Sequence, residues 1–131
     1  MNKAIYSGPE TPLIVQTIGS YLDDIAERYP SHEALVMAHQ DIRWSYEEFN
    51  KQVDNCAAGL IHLGIEKGDR VGIWSPNRFE WVLTQFATAK IGAIMVCINP
   101  AYRLFELEYV LNKVGCKAII AAEVFKTSLY L

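Results

Sequence analysis

Two short loops of this chain carry side chains that could meet a ligand, Ser75-Pro76-Asn77 and Asn99-Pro100-Ala101-Tyr102-Arg103. Each follows an apolar run that reads as a β-strand, and open α/β sheets bind ligands outside the carboxyl ends of their strands. The plainest account of both loops is a strand-to-helix turn, with Asn bonding its own backbone and Pro presetting the helix start. Arg103 is the one side chain in them with a fork of donors able to clamp a phosphate or carboxylate.

The other chemistry-bearing residues form no constellation. His32, His39 and His62 fall in a loop, a turn and a helix, without the i, i+4 partner of a helical zinc site, and read as solvated residues. Asp23-Asp24 and Glu47-Glu48 are neighbours on helices, where i and i+1 side chains diverge. They read as a solvated face and a capping box, not as an acid/base pair. Cys56, Cys97 and Cys116 are odd in number and share no CxxC pair, which disfavours a disulfide framework and a thiolate metal site. Cys97 and Cys116, in or beside apolar strands, read as core, and so do Trp44, Trp74 and Trp81. Neither a P-loop nor a G-x-G-x-x-G turn occurs, and Gly64-Ile65-Glu66-Lys67-Gly68-Asp69 precedes a strand, as a helix cap and tight turn would. No residue is therefore assigned a catalytic, cofactor-binding or metal-binding role.

The elements that must position the two loops follow from periodicity. An extended arm over residues 1–16, punctuated by Gly8, Pro9 and Pro12, leads to Thr17, which can cap a helix. Ile18, Leu22, Ile25 and Tyr29 recur at helical spacing before Pro30 stops it. Ala34-Leu35-Val36-Met37 and Ile42-Arg43-Trp44 read as a β-hairpin across His39-Gln40-Asp41. Ser45-Tyr46-Glu47-Glu48 has the form of a capping box. It opens a helix with the stripe Phe49, Val53, Ala57, Leu60 and Ile61, closed at Gly64.

Beyond Gly68-Asp69 the order is strand 71–74, helix 77–89, strand 93–98, helix 104–114, strand 117–121, and a helix beginning near Val124. Apolar strands without strict alternation, separated by amphipathic helices, predict an α/β fold: a mostly parallel sheet flanked by helices, doubly wound, with an N-terminal β-hairpin. The end, Lys126-Thr127-Ser128-Leu129-Tyr130-Leu131, reads as the middle of an element, so the chain is expected to be an incomplete portion of a larger domain.

Composition narrows the function classes. In 131 residues, 51% hydrophobic and 21% charged, there is material for one core. A net charge of -3 with no clustered Lys/Arg stripe argues against nucleic acid as a partner. The longest apolar run, residues 91–98, is too short to cross a bilayer as a helix. No signal peptide is visible, and a reducing compartment is expected.

Thr11-Pro12-Leu13, Trp44-Ser45-Tyr46-Glu47-Glu48-Phe49, Ala57-Ala58-Gly59-Leu60, the run from Gly64 through Gly68-Asp69-Arg70-Val71-Gly72-Ile73-Trp74 to Asn77, Glu80-Trp81, and residues 90–120 resemble, in order, the N-terminal part of acyl-CoA synthetases of the adenylate-forming, AMP-binding superfamily. The branch most similar is that of medium- and long-chain fatty-acid-CoA ligases. Phe105 departs from it, standing where related sequences often carry a small or polar residue.

The resemblance implies that residues 1–131 are an N-terminal fragment of the AMP-binding domain of an acid-thiol ligase of fatty acid metabolism. In such enzymes a carboxylate attacks the α-phosphorus of ATP to give acyl-adenylate, and the CoA thiol then displaces AMP. ATP, CoA and Mg are thereby implied for the full-length enzyme, and none is expected on this fragment alone. The Ser/Thr/Gly-rich loop ending in Pro-Lys-Gly, the later adenylate motifs and the catalytic lysine of such enzymes have no counterpart in these residues, so the fragment by itself is expected to be inactive. Its expected partners are the remainder of the synthetase chain and a fatty acid, with self-association through an exposed sheet edge. The expected compartment is the cytoplasm, with the mitochondrial matrix as the alternative. Two other readings stay open: a stand-alone α/β interaction or regulatory domain, and a segment of another adenylate-forming ligase, acting on aryl or amino acids.

Overall fold

Thr17 starts the first helix by accepting a hydrogen bond from the Ser20 amide, and α1 runs over Ile18–Arg28. It belongs to a computed structural model that describes residues 8, 9, 11–125, 128 and 129. The arm lacks regular structure over residues 11–16, and its residues 1–7 and 10 lie outside the described ones. Leu22 and Ala26 of α1 turn inward, whereas Ile18 and Tyr29, two members of the expected stripe, are exposed.

Strands β1 (Glu33–Met37) and β2 (Ile42–Ser45) pair antiparallel as the expected hairpin. Its turn is a single 3-10 turn, Ala38–Gln40, closed by Asp41 in the left-handed region at φ 54°. Asp tolerates that conformation better than most residues. The capping box forms as read: Glu48 N–H donates to Ser45 Oγ, and Ser45 N–H donates to the Glu48 carboxylate. It opens α2 (Tyr46–His62), which buries Phe49, Val53, Ala57 and Leu60. Ile61 was read into that stripe but is exposed; buried Ile65, just past the helix, joins Leu60 in the same core.

Strands β3 (Arg70–Trp74), β4 (Ile94–Ile98) and β5 (Cys116–Ala121) form a parallel sheet in the order β4-β3-β5. Helix α3 (Phe79–Ile91) connects β3 to β4, and α4 (Leu104–Val114) connects β4 to β5. The two crossovers run in opposite directions over the central strand. Parallel crossovers are right-handed, so oppositely directed ones place their helices on opposite faces. The packing agrees. Val71 faces a core made with α1, α2 and α3, while Trp74 meets Ile98 and Leu107 beneath α4. Gly72 permits a close approach on the second face, since a Cβ there would lie 3.0 Å from Ile98 Cδ1.

The expected helix near Val124 does not form. Strand β6 (Val124–Phe125) pairs antiparallel with β7 (Ser128–Leu129), so the described residues of this segment are extended. Too few residues lie there for a 3.6 periodicity to separate helix from strand, and β-branched Val124 beside Phe125 suits the extended form. Cys97 is likewise corrected. It lies on β4, an edge strand among the described residues, and is exposed, and Cys116 is half-buried.

Candidate functional site

The strand order fixes where a ligand crevice can open. Strand β3 sends its carboxyl-end loop, residues 75–78, to α3 on one face. Its neighbour β4 sends residues 99–103 to α4 on the other. Adjacent parallel strands whose loops diverge this way leave a cleft between them, the switch point of open α/β sheets. The two loops singled out in the sequence therefore start side by side, from the paired strand ends Trp74 and Ile98.

Each loop has its own fastening. In the second, the Asn99 side-chain oxygen accepts from Ala101 N–H at 2.9 Å and the Asn99 carbonyl accepts from Tyr102 N–H at 3.0 Å, the Asx turn expected of Asn before Pro. Arg103 is exposed, and its backbone N–H donates to the Glu106 carboxylate at 3.0 Å, which fixes the start of α4. Its first structural duty is thus at the helix end.

The first loop is held by residues that the motif reading passed over. Ser75 is buried, and its carbonyl oxygen accepts from the Trp81 indole N–H at 2.8 Å. Arg78 donates to Glu80 through Nε at 3.2 Å and Nη2 at 3.0 Å. Gln40, from the hairpin turn, donates to Glu80 Oε2 at 3.0 Å and accepts from Phe79 N–H at 2.8 Å. Burial opposes ionisation of Glu80, but the hydrogen bonds from Arg78 and Gln40 outweigh it and hold the carboxyl below its usual range. The Glu80 carboxylate in turn raises the Arg78 guanidinium above its ordinary value, with a smaller contribution from the charge of Glu123 beyond β5. Arg78 and Glu80 sit two apart at a helix start, a signal a charge-pattern search could have found. Gln40 is about forty positions upstream of both, and nothing local marks it.

The rest of the chemistry stays dispersed. His32, His39 and His62 are exposed, and His32 meets the Tyr29 ring edge-on at 5.3 Å. Among the described residues, no three His, Cys, Asp or Glu side chains gather to hold a metal ion. Burial raises the Cys56 and Cys116 thiols, opposed at Cys116 by the charge of Arg70. Trp74 is buried, while Trp44 and Trp81 are half-buried. A triphosphate and its metal find no cradle among these side chains. The guanidinium of Arg78 is engaged by Glu80, Glu123 adds a negative charge beside it, and no Gly-rich phosphate turn occurs in the sequence.

Two fastenings lie away from the cleft. At the amino edge, Asp69 accepts from Glu66 N–H and Lys117 Nζ, both at 2.7 Å. Its carboxyl is held below the usual range chiefly by the Lys117 hydrogen bond. Where α1, α2 and α3 meet, Lys90 Nζ donates to Asp23, Asp54 and Asn50. No helix among the described residues is long and apolar enough to cross a membrane.

A profile of the family described as AMP-binding enzyme matches residues 22–129. The chain is 49% identical over 121 residues to the mitochondrial medium-chain acyl-CoA ligase ACSF2 of Rattus norvegicus, covering 92% of this chain and 20% of that protein. It superposes on the N-terminal domain of FACL13 from Mycobacterium tuberculosis with a TM-score of 0.78 at 34% identity, over 82% of this chain and 27% of that one. It also superposes on the NpsA N-terminal subdomain of Klebsiella oxytoca, solved in complex with anthranilyl-AMSN, with a TM-score of 0.75 at 29% identity, over 86% of this chain and 28% of that one. The chain thus spans about a fifth of the curated relative.

Proposed function

The chain belongs to the AMP-binding enzyme family, and from that premise we propose that residues 1–131 form the N-terminal part of an ATP-dependent fatty acyl-CoA ligase. The observation that carries the proposal is the 49% identity, across 92% of this chain, to a protein named medium-chain acyl-CoA ligase. In the whole protein a fatty carboxylate would be activated by ATP and passed to the thiol of CoA, with Mg as the accompanying cation. This segment contributes scaffold, the three-stranded sheet and the two loops of its switch-point cleft. The groups that stabilise charge on the transferring phosphate would come from the remaining chain. The mammalian relative's name supports the mitochondrial alternative over the cytoplasmic expectation.

A second reading has one observation in its favour. The NpsA subdomain bound to an anthranilyl compound superposes nearly as well as the FACL13 domain, so an aryl acid is the competing substrate.

The experiment is to read the coding sequence past the codon for Leu131, express the whole protein, and assay ATP- and CoA-dependent thioester formation on fatty and aryl acids in parallel. A Thr/Ser/Gly-rich loop ending in Pro-Lys-Gly, with turnover of medium-chain acids, is the expected result. Preference for aryl acids moves the substrate reading. A stop codon directly after Leu131 removes the ligase and leaves an interaction domain. Residues 1–131 alone are expected to give no thioester.

A further inference from the structure

We propose that Gln40 is a positioning residue for the cleft loop of the ligase, acting from the hairpin on residues 75–80; this rests on the ligase reading above. Five fastenings meet there. The N-cap of α3 is Arg78, whose side chain makes no capping hydrogen bond. A Ser, Thr, Asp or Asn at that position would cap the helix locally. Instead, the amide of Phe79 is taken by the Gln40 side-chain oxygen at 2.8 Å, from a residue on the hairpin's 3-10 turn. The other end of the same carboxamide donates to Glu80 at 3.0 Å, and Glu80 holds Arg78 through two hydrogen bonds. Trp44 on β2 meets the Phe79 ring edge-on at 5.2 Å, so the hairpin grips the helix start by packing as well. From the opposite side Trp81 reaches back to the Ser75 carbonyl at 2.8 Å.

The consequence is mechanical. Residues 75–78 bridge β3 to α3 on one wall of the cleft, and their downstream anchor is borrowed from an element outside the sheet. Gln40 uses both ends of one side chain to set that anchor, so losing it frees the Phe79 amide and one lone pair of Glu80 together. A loop that walls a ligand cleft loses binding when its anchor drifts, without loss of any group that touches the reacting atoms.

Two measurements test this. In the whole ligase, Gln40→Ala is expected to speed amide exchange at Phe79 about tenfold relative to amides of α2. In the whole ligase, Gln40→Ala is expected to raise KM for at least one substrate about tenfold, with kcat changed less than about twofold, the pattern of lost binding. Gln40→Glu keeps an acceptor for the Phe79 amide and guards against a folding failure. Combined with Glu80→Gln it restores an amide–carboxylate pair between the two positions but gives up the carboxylate that holds Arg78, so it is expected to bring KM only partway back, below that of Gln40→Glu alone. Every KM within twofold of the parent, despite faster Phe79 exchange, would overturn the role of Gln40, as would a fall in kcat tracking lost stability that the paired change fails to rescue. A parent protein that forms no thioester overturns the ligase reading and the role with it, whereas normal parent turnover with unmoved KM overturns the role alone.

Discussion

The two faces of the three-stranded sheet are covered unequally. On one, α1, α2 and α3 bury Leu22, Phe49, Val53, Ala57, Leu60, Val71 and Ala87 in a continuous core. On the other, among the described residues, α4 stands alone over Trp74 and Ile98 with Leu107 as its one buried residue, while Ile94 and Ile119 on the flanking strands stay exposed. The outer side of α4 presents Leu104, Phe105 and Tyr109 to solvent. Stability in this chain is therefore expected to live on the first face, where apolar area is removed from water on many sides at once.

The sharpest break of that comparison is a pair of truncations. Phe49 is buried and meets Phe86 edge-on at 5.4 Å, so Phe49→Ala is expected to cost about 3–5 kcal/mol, measured by urea unfolding of the chain. Leu107→Ala on the second face is expected to cost less, about 2–3 kcal/mol, because its surroundings are already open enough to collapse around the gap. Equal losses would mean that the two faces carry equal weight.

Much of the order of elements was legible in the sequence, because periodicity reports on local geometry. The capping box at Ser45, the left-handed Gly64 just past α2 and the bounds of α4 all depend on residues about a turn apart. What the sequence hid was set by distance along the chain. Exposed Cys97 and Ile61 look apolar and are not covered, because β4 is an edge strand among the described residues and α2 turns that flank outward. The cleft was half legible. Strand-end loops could be found from apolar runs and Pro, but the Gln40 anchor depends on the hairpin folding back over a helix start about forty positions away.

A smaller effect probes how the three helices of the first face are joined. Lys90 is nearly buried and bridges Asp23 of α1 to Asp54 of α2. Burial lowers the tendency of Lys90 to hold its proton, yet the hydrogen bonds to Asp23 and Asp54 outweigh it and raise the group above its ordinary value. Burial also opposes ionisation of Asp23, but hydrogen bonds from Lys90 and Asn50 and the Lys90 charge hold its carboxyl low. A carboxyl lowered on folding stabilises above its unfolded value near 4 and loses that contribution as pH falls through the folded value. A raised lysine stabilises below about 10 and loses its share as pH rises through the folded value. Since both carboxylates are about half exposed, Lys90→Met is expected to cost only about 1 kcal/mol at pH 7. The gap to the parent should narrow as pH falls through the lowered folded value of Asp23. A gap that persists unchanged in acid would assign the effect to the packing of the lysine stem instead of its charge.

The finest division lies between two glycines in the helices of the first face. Gly19 of α1 is buried against α3, and a Cβ there would lie 2.9 Å from Lys90 Cγ and 3.0 Å from Lys90 Cα. The stem can bend away, but the α-carbon cannot move without shifting α3. Gly59 of α2 is exposed, and a Cβ there meets nothing within 4 Å. Both stand inside helices, where Ala is preferred over Gly by about 1 kcal/mol. At Gly59 that preference acts alone, so Gly59→Ala is expected to stabilise the chain by about 0.5–1 kcal/mol. At Gly19 the overlap opposes it at about 1–3 kcal/mol, so Gly19→Ala is expected to be destabilising, by about 1 kcal/mol net. The two changes share their chemistry and propensity, so their difference in urea midpoint measures the closeness of α1 to α3. Equal midpoints would mean that the helices separate enough in solution to admit a methyl group, and that Lys90, not close packing, sets their spacing.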